Sequence, residues 1–313
     1  MPRHTSSPLF SVIIPTYDRL ELLIKAVDSV RRQSFSDYEI IIVDDGSKDG
    51  TREWLSVNSR WLRTVCQSNK GPGAARNAGA RIADGEYLAF FDSDDLWFPW
   101  TLEIFSRAVE SFDGPSIVAG RWLEFVDETE LLRVEKEIYT ARTFDDFLAS
   151  SPESFAVGSG TCVVKRDAFQ AVAFLEDRLN SEDHDLVLQM GTMPGFVQVT
   201  SPVTVAWRRH GTGETANLAG GVLGAARLLE REKAGAYPGG RERAKQRHEI
   251  LTRHVRPVAL ECLRRGRQRE GWKLYALTFG WNVSLGRFRY LFAFPLIAMI
   301  ESGRRGFAAL GCL

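Results

Sequence analysis

Three aspartates within four positions, Asp92, Asp94 and Asp95, follow the apolar run of "YLAFFDSDDLW" at residues 87–97. Carboxylates this close repel one another and call for a positive partner. Hard oxygen donors favour magnesium or manganese; magnesium commonly takes one or two carboxylates and completes its shell with water and substrate phosphates. If the strand continues through the acids, Asp92 and Asp94 share a face about 6.6 Å apart, at ~3.3 Å per residue, and Asp95 points away. One of the pair would then grip the cation while the other works through water or a neighbouring hydroxyl. Asp and Ser are also ordinary turn residues, so the triplet alone does not decide.

Further acids stand at comparable places. Asp44 and Asp45 precede Gly46 and Ser47, which suits an Asx-type turn or a carboxylate that accepts from a nucleobase N–H. "GPGAARNAG" has the glycines of a phosphate loop but lacks the Gly-Lys-Ser/Thr of a P-loop, and Arg76 stands where a dinucleotide fingerprint needs Gly or Ala. It reads as a loop and helix N-terminus beside a ligand, with Arg76 and Asn77 as polar contacts, or as ordinary helix initiation. In "SEDHD", Ser181 suits a helix cap and Glu182 and Asp183 a first turn. The same mount would also hold Asp183 rigidly as a proton acceptor.

These residues need a scaffold, and the periodicity supplies one. "FSVIIPTY", "YEIIIVDDGS", a weaker "LRTVC" and "YLAFF" read as strands; "LELLIKAVDSVRRQ", "DGTREWLSV" and the helix opened by the glycine loop alternate with them. The alternation predicts an α/β sandwich with a mostly parallel sheet. Ligands then belong at the carboxyl ends of the strands, where Asp18, Asp44, Asp45, Asp92 and Asp94 fall. From about residue 115 the pattern turns to "SIVAGRWLEFV", "GTCVVKR" and "GFVQVTSPVTVAW", with a helix starting at "EDHDLVLQMG". After residue 216 it is helical and basic, so a boundary is expected near 215: a catalytic domain over 1–215 and a basic helical region over 216–313.

At 313 residues, the chain is long enough for one large domain with an appendage, or for two. A formal net charge of zero hides roughly 22 basic against 33 acidic side chains up to residue 226, and roughly 18 against 7 after it. Four scattered cysteines without a C-x-x-C pair argue against a zinc site or a disulfide framework. "MPRHTSSPLF" carries no apolar stretch of signal-peptide length, so a cytoplasmic location is expected. "RFRYLFAFPLIAMI", residues 287–300, is too short to cross a bilayer, carries Arg289 and is interrupted by Pro295. Its aromatic and cationic mix suits peripheral contact with an anionic membrane face, docking on the catalytic domain, or a partner. No nucleic-acid-binding module is present in the sequence pattern.

The order "SVIIPTYDR", "IIIVDDGSKDGT", "NKGPGAARNAGARIADGEYLAFFDSDDLW" and "SEDHDLVLQM" resembles the family-2 inverting glycosyltransferases of GT-A fold, over roughly residues 10–211. That resemblance implies a nucleotide-sugar-binding α/β/α sandwich. It assigns the nucleobase and ribose to Pro15, Tyr17 and Asp45 with Arg76 nearby, and the family's D-x-D element to Asp92 and Asp94. Within that element Asp94 is the direct ligand of Mn2+ or Mg2+, and Asp92 contacts sugar or ribose. Asp183 becomes the catalytic base, its pKa expected to rise from ~3.9 through burial beside Glu182 and Asp185. "AWRRHG" resembles a Tyr-Arg-x-His segment with Trp207 in place of tyrosine; His210 would complete the metal shell or touch a phosphate, unless it is a solvated loop histidine, and Arg208 or Arg209 would pair with the diphosphate.

The implied activity is metal-dependent transfer of a sugar, with inversion, from a nucleotide-diphosphate sugar to an acceptor hydroxyl on a glycan or lipid-linked glycan, as in polysaccharide biosynthesis. A sugar nucleotidyltransferase shares the layout, but its glycine-rich basic signature is replaced by "VIIPTYDR". A catalytically silent sugar-nucleotide-binding scaffold is the non-enzymatic alternative.

Overall fold

The computed structural model describes residues 7–153, 157–209 and 217–310. The chain divides into two compact units: Met1–Ser150 with Ser154–Arg178 and Glu182–Gly211, and Ser151–Glu153 with Leu179–Ser181 and Thr212–Leu313.

Among the described residues, the first unit is built on nine strands: β1 Phe10–Thr16, β2 Tyr38–Asp44, β3 Arg63–Cys66, β4 Tyr87–Phe90, β5 Leu96–Trp97, β6 Ile117–Phe125, β7 Thr140–Phe144, β8 Cys162–Lys165 and β9 Phe196–Arg208. They form one sheet in the order β3-β2-β1-β4-β8-β6-β9-β5, with β7 pairing β9. The β3-β2-β1-β4 half is parallel throughout, and β6 runs parallel to β9. The joining strand β8 and the short β5 and β7 are antiparallel. Helices α1 Leu20–Arg31, α2 Thr51–Asn58, α3 Pro72–Ile82, α4 Thr101–Ser111, α5 Arg166–Gln170 and α6 Glu182–Gln189 complete the unit. This is the expected α/β class.

Every residue of β1 is buried, as a strand covered on both faces must be. Phe10, Val12 and Ile14 enter one core with Leu23, Val27 and Val30 of α1. On the opposite face α3 packs so closely that a Cβ added to Gly79 would lie 2.4 Å from Ile13 Cγ2 and 3.1 Å from Val43 Cγ2. A glycine therefore sets how near α3, and everything it carries, comes to the sheet.

Two local features depart from the sequence reading. Strand β4 stops at Phe90, where its pairing with β1 ends at Ile13↔Phe90. The acids lie in a turn beyond it, closed by the Asp95 N–H donating to the Asp92 carbonyl at 3.2 Å. Strand alternation therefore does not govern which way the acids point. Pro295 also lies inside a continuous helix instead of interrupting one.

The second unit comprises α7 Leu218–Lys233, α8 Ala244–Arg264, α9 Gln268–Ser284 and α10 Phe288–Leu310. Val222 and Leu229 of α7, Val255 and Leu263 of α8, Leu274 of α9 and Phe294 of α10 share its core. Tyr275 stacks on Phe294 with ring centroids 4.5 Å apart, and its hydroxyl donates to the Leu291 carbonyl. Buried Arg247 pairs with Glu232 and also donates to the Pro238 and Gly240 carbonyls, tying α8 to the end of α7. Among the described residues, no helix is long and apolar enough to cross a membrane.

Replacing Gly79 with alanine tests the close approach of α3. Helix propensity alone favours alanine by about 1 kcal/mol. The overpacking against Ile13 is expected to dominate, lowering stability by about 1–3 kcal/mol in urea unfolding followed by circular dichroism. A stabilised variant would show that α3 can move outward at no cost.

Candidate active site

The carboxyl ends of β1 and β2 are fastened together. The Asp45 N–H donates to the Thr16 carbonyl at 2.9 Å, the Asp18 N–H to Ser47 Oγ at 3.0 Å, and the Lys48 N–H to Asp18 Oδ1 at 2.6 Å. Asp44 is fully buried and accepts from the Ser47 N–H, the Asx-type turn its sequence suggests. Asp45 accepts three hydrogen bonds, from Gln67 Nε2, the Lys70 N–H and the Gly71 N–H, at 2.7–2.8 Å. A carboxylate offers about four lone-pair positions, so most of its capacity is spent holding the loop that leads into α3. Pro15 is buried, while the adjoining Tyr17 ring is 41% exposed at the strand end.

Gly71 caps α3, which places Arg76 in the interior. Its guanidinium donates through Nη1 to Glu182 Oε1 and through Nη2 to Asp92 Oδ1, both at 2.6 Å, and lies over the Phe174 ring. Burial opposes the charge, but Asp92 and Glu182 outweigh it and hold the guanidinium above its usual pKa. The acidic turn and the start of α6, about ninety residues apart in sequence, thus share one buried cation. Asn77, on the same helix, fastens the Phe174 backbone and Glu176.

The three turn acids have different partners. Asp92 meets Arg76; Asp94 Oδ2 meets Arg19 Nη1 at 2.8 Å; buried Asp95 accepts from the Arg208 N–H at 2.9 Å. Burial, then the charges of Asp92 and Asp94, push Asp95 well above the usual carboxylate range, against the pull of Arg208. Two glycines on the other side allow this crowding. A Cβ on Gly160 would lie 2.9 Å from Asp92 Oδ2 and 3.6 Å from Asp95 Oδ2, and one on Gly158 would lie 3.2 Å from Asp183 Oδ2. The segment 158–160 therefore passes along both the acidic turn and Asp183.

Asp183 lies in the first turn of α6, where its Oδ1 accepts from the His184 N–H at 2.7 Å and faces His184 Nδ1 at 2.9 Å. Its pKa moves opposite to expectation. Burial favours the neutral acid, but His184, through charge and hydrogen bonds, and then Arg76 hold Asp183 below the usual carboxylate range. His184 is correspondingly held above its ordinary value: burial lowers it, and Asp183 and Glu182 outweigh that. Glu182 ends above its usual value, through burial and the Asp183 charge, against Arg76. Cys162 reports how close these groups lie. Its thiol is pushed up to about 12 by burial and by the charges of Asp183 and Asp92, with Arg76 opposing.

Asp92 and Asp94 offer hard oxygen donors, and the charge crowding that raises Asp95 would be relieved by a cation. Among the described residues, no three His, Cys, Asp or Glu side chains converge as a ready metal cage. The residues fit an ion held by one or two carboxylates whose remaining ligands come from water and a diphosphate. His210, expected to contribute there, lies outside the described residues. Arg208 donates through Nε to the Asp94 carbonyl and through Nη2 to Glu128 Oε1, and Arg209 pairs with Glu124. Sequence reasoning passed over Arg19, Glu182 as the Arg76 partner, His184 and the glycine segment. Only "VGSGT", two glycines before a strand, left a local trace.

An uncharacterized glycosyltransferase of Rickettsia felis is 32% identical over 177 residues, 55% of this chain and 28% of that protein. The amylovoran biosynthesis glycosyltransferase AmsB of Erwinia amylovora is 27% identical over 206 residues, 62% of this chain and 68% of AmsB. The chain spans between 25% and 34% of the length of the first curated relatives it matches. Among solved structures, S. aureus TarS 1–349 in complex with UDP-GlcNAc superposes with a TM-score of 0.60 at 17% identity, covering 95% of this chain and 92% of that one. The mannosyltransferase PcManGT from Pyrobaculum calidifontis, in complex with GDP-Man and Mn2+, superposes at 0.51 with 20% identity, covering 96% and 89%. These likenesses show the GT-A-type fold. A family model described as "Glycosyl transferase family 2" matches residues 11–172, more than half of the 313, and the chain belongs to that family.

Proposed function

We propose that the chain is a metal-dependent, inverting glycosyltransferase that moves a sugar from a nucleotide-diphosphate sugar to an acceptor hydroxyl on a glycan or lipid-linked glycan, in polysaccharide assembly. The observation that carries this reading is the Arg76 bridge from Asp92 to Glu182. It puts the acidic turn and the candidate base Asp183 around one centre, as a donor gripped at its diphosphate and attacked at its sugar requires. The donor-bound TarS and PcManGT structures of the same fold and the biosynthetic role in the name of AmsB, amylovoran biosynthesis, support it.

In this reading Pro15, Tyr17 and Asp45 stand at the nucleobase and ribose end of the donor, with the Tyr17 side chain exposed there and Asp45 ordering the loop beside it. Asp92 contacts ribose or sugar. Asp94, with Asp92 beside it, would hold Mn2+ or Mg2+, which when bound supplies positive charge to the departing diphosphate. Arg19, the partner of Asp94, would be a protein cation available to a phosphate oxygen. Asp183 takes the proton of the acceptor hydroxyl as that oxygen attacks the anomeric carbon from the face opposite the nucleotide, and a single displacement inverts the centre.

His184 controls how strong a base Asp183 is. While the imidazole is protonated, the pair is charge-matched and the carboxylate holds protons weakly. As pH rises past ~6.5 and through the raised His184 value, the imidazolium charge is lost and Asp183 becomes more basic. Stability contributed by the pair runs the other way: it is present above the lowered Asp183 value and below the raised His184 value, and is lost as pH climbs through the latter.

Two tests follow from these roles. In calorimetry with a panel of nucleotide sugars, one donor is expected to bind in the presence of manganese. Asp94→Ala should abolish that binding; Asp183→Ala should retain it while turnover falls at least about a hundredfold. Donor turnover unaffected by Asp183→Ala would remove it from the chemistry. In a pH–rate profile, the wild type should gain activity along a limb above ~6.5 that His184→Asn lacks. An unchanged limb in that variant would assign it to another group.

A further inference from the structure

The exposed side of α10 is apolar. Phe288, Phe292, Leu296, Met299 and Ile300 are 55–72% exposed, although the helix buries Leu291, Phe294 and Ala298 in the core of its own unit. At 3.6 residues per turn these five and exposed Arg289 fill one continuous arc of about 120°. Exposed Trp272, Phe279 and Val283 of α9 extend the apolar surface. Trp272 reaches α10 directly, its ring 5.2 Å from that of Phe294. A water-facing helix side is ordinarily the polar one, and a contiguous apolar patch of this kind marks a contact surface.

The charge pattern selects the occupant. From Gly271 to Ile300 there is no Asp or Glu, while Lys273 and Arg289 are present and exposed; Arg287 turns inward to Glu249 and Thr252. A second copy docked about a two-fold axis would bring this surface against itself, with Lys273 and Arg289 of the two copies facing like charge. A lipid surface with anionic headgroups meets both features, since acyl chains accept the phenylalanine, leucine and methionine side chains while headgroups pair with the cations. We propose that the α9–α10 face is an interfacial membrane-binding surface for anionic bilayers. No candidate active-site residue takes part, so the inference survives or fails apart from the proposed transfer chemistry.

The test is co-sedimentation of the full chain, without donor, with vesicles of phosphatidylglycerol and phosphatidylcholine, and with phosphatidylcholine alone. At low salt the wild type should pellet with the anionic vesicles. The double substitution Phe292→Glu and Met299→Glu, at the two most exposed positions of the arc, should weaken that binding by at least about tenfold without moving the thermal unfolding midpoint. Leu296→Ser, a milder change on the same arc, guards against misfolding of the double variant and should weaken binding in the same direction. Arg289→Gln should reduce binding to the anionic vesicles alone. Wild-type protein that stays in the supernatant, or variants that pellet as well as it does, would overturn the proposal. So would a dimer in sedimentation velocity that the double substitution dissociates, which would assign the face to a second copy.

Discussion

The candidate site depends on one desolvated cation. Arg76 is buried with Asp92 on one side and Glu182 on the other. An interior charge of this kind is tolerable only when it is paired and hydrogen-bonded, and losing one partner costs about 3–5 kcal/mol. The two carboxylates are therefore tied to the guanidinium as firmly as it is to them. Because they arrive on separate elements, the turn after β4 and the first residue of α6, the ion pair fixes the relation between the two halves of the site. Packing of α3 against Ile13 and Val43, permitted by Gly79, fixes where that cation stands.

Around this centre negative charge exceeds positive, and the protein distributes the excess unevenly. Asp95 is pushed toward its protonated form, while Asp183 is held ionised. Environment, and not residue type, separates them: Asp95 faces two further carboxylates, and Asp183 faces an imidazole and, more remotely, Arg76. Two carboxyl groups of the same chemistry thereby acquire opposite habits within one site. Asp94, the third acid of the turn, meets Arg19 as its counter-charge.

Much of the scaffold was legible because its signals are local. Continuous β-branched runs gave β1 and β2, and the glycine loop gave the start of α3, since a strand buried on both faces has no polar side to interrupt it. Two-residue β5 and the exposed β7 carry no such pattern and were missed. At the site, the sequence placed acids at the strand ends but not their partners. Arg19 with Asp94 and Arg76 with Glu182 are 75 and 106 residues apart, a pairing that periodicity cannot express. The expected rise in the Asp183 pKa counted burial and neighbouring acids; it left out the residue next in sequence, His184, whose ring turns back onto the carboxylate.

The environment that raises Cys162 has a practical side. A thiol reacts with oxidants and alkylating agents only as its thiolate, and this one lies beside two carboxylates that disfavour a further negative charge. Exposed Cys66 and buried Cys262 are raised as well. Among these thiols Cys162, buried beside Asp183 and Asp92, is the one held furthest from its thiolate near neutral pH, so the sulfur nearest the candidate site is a poor target for iodoacetamide.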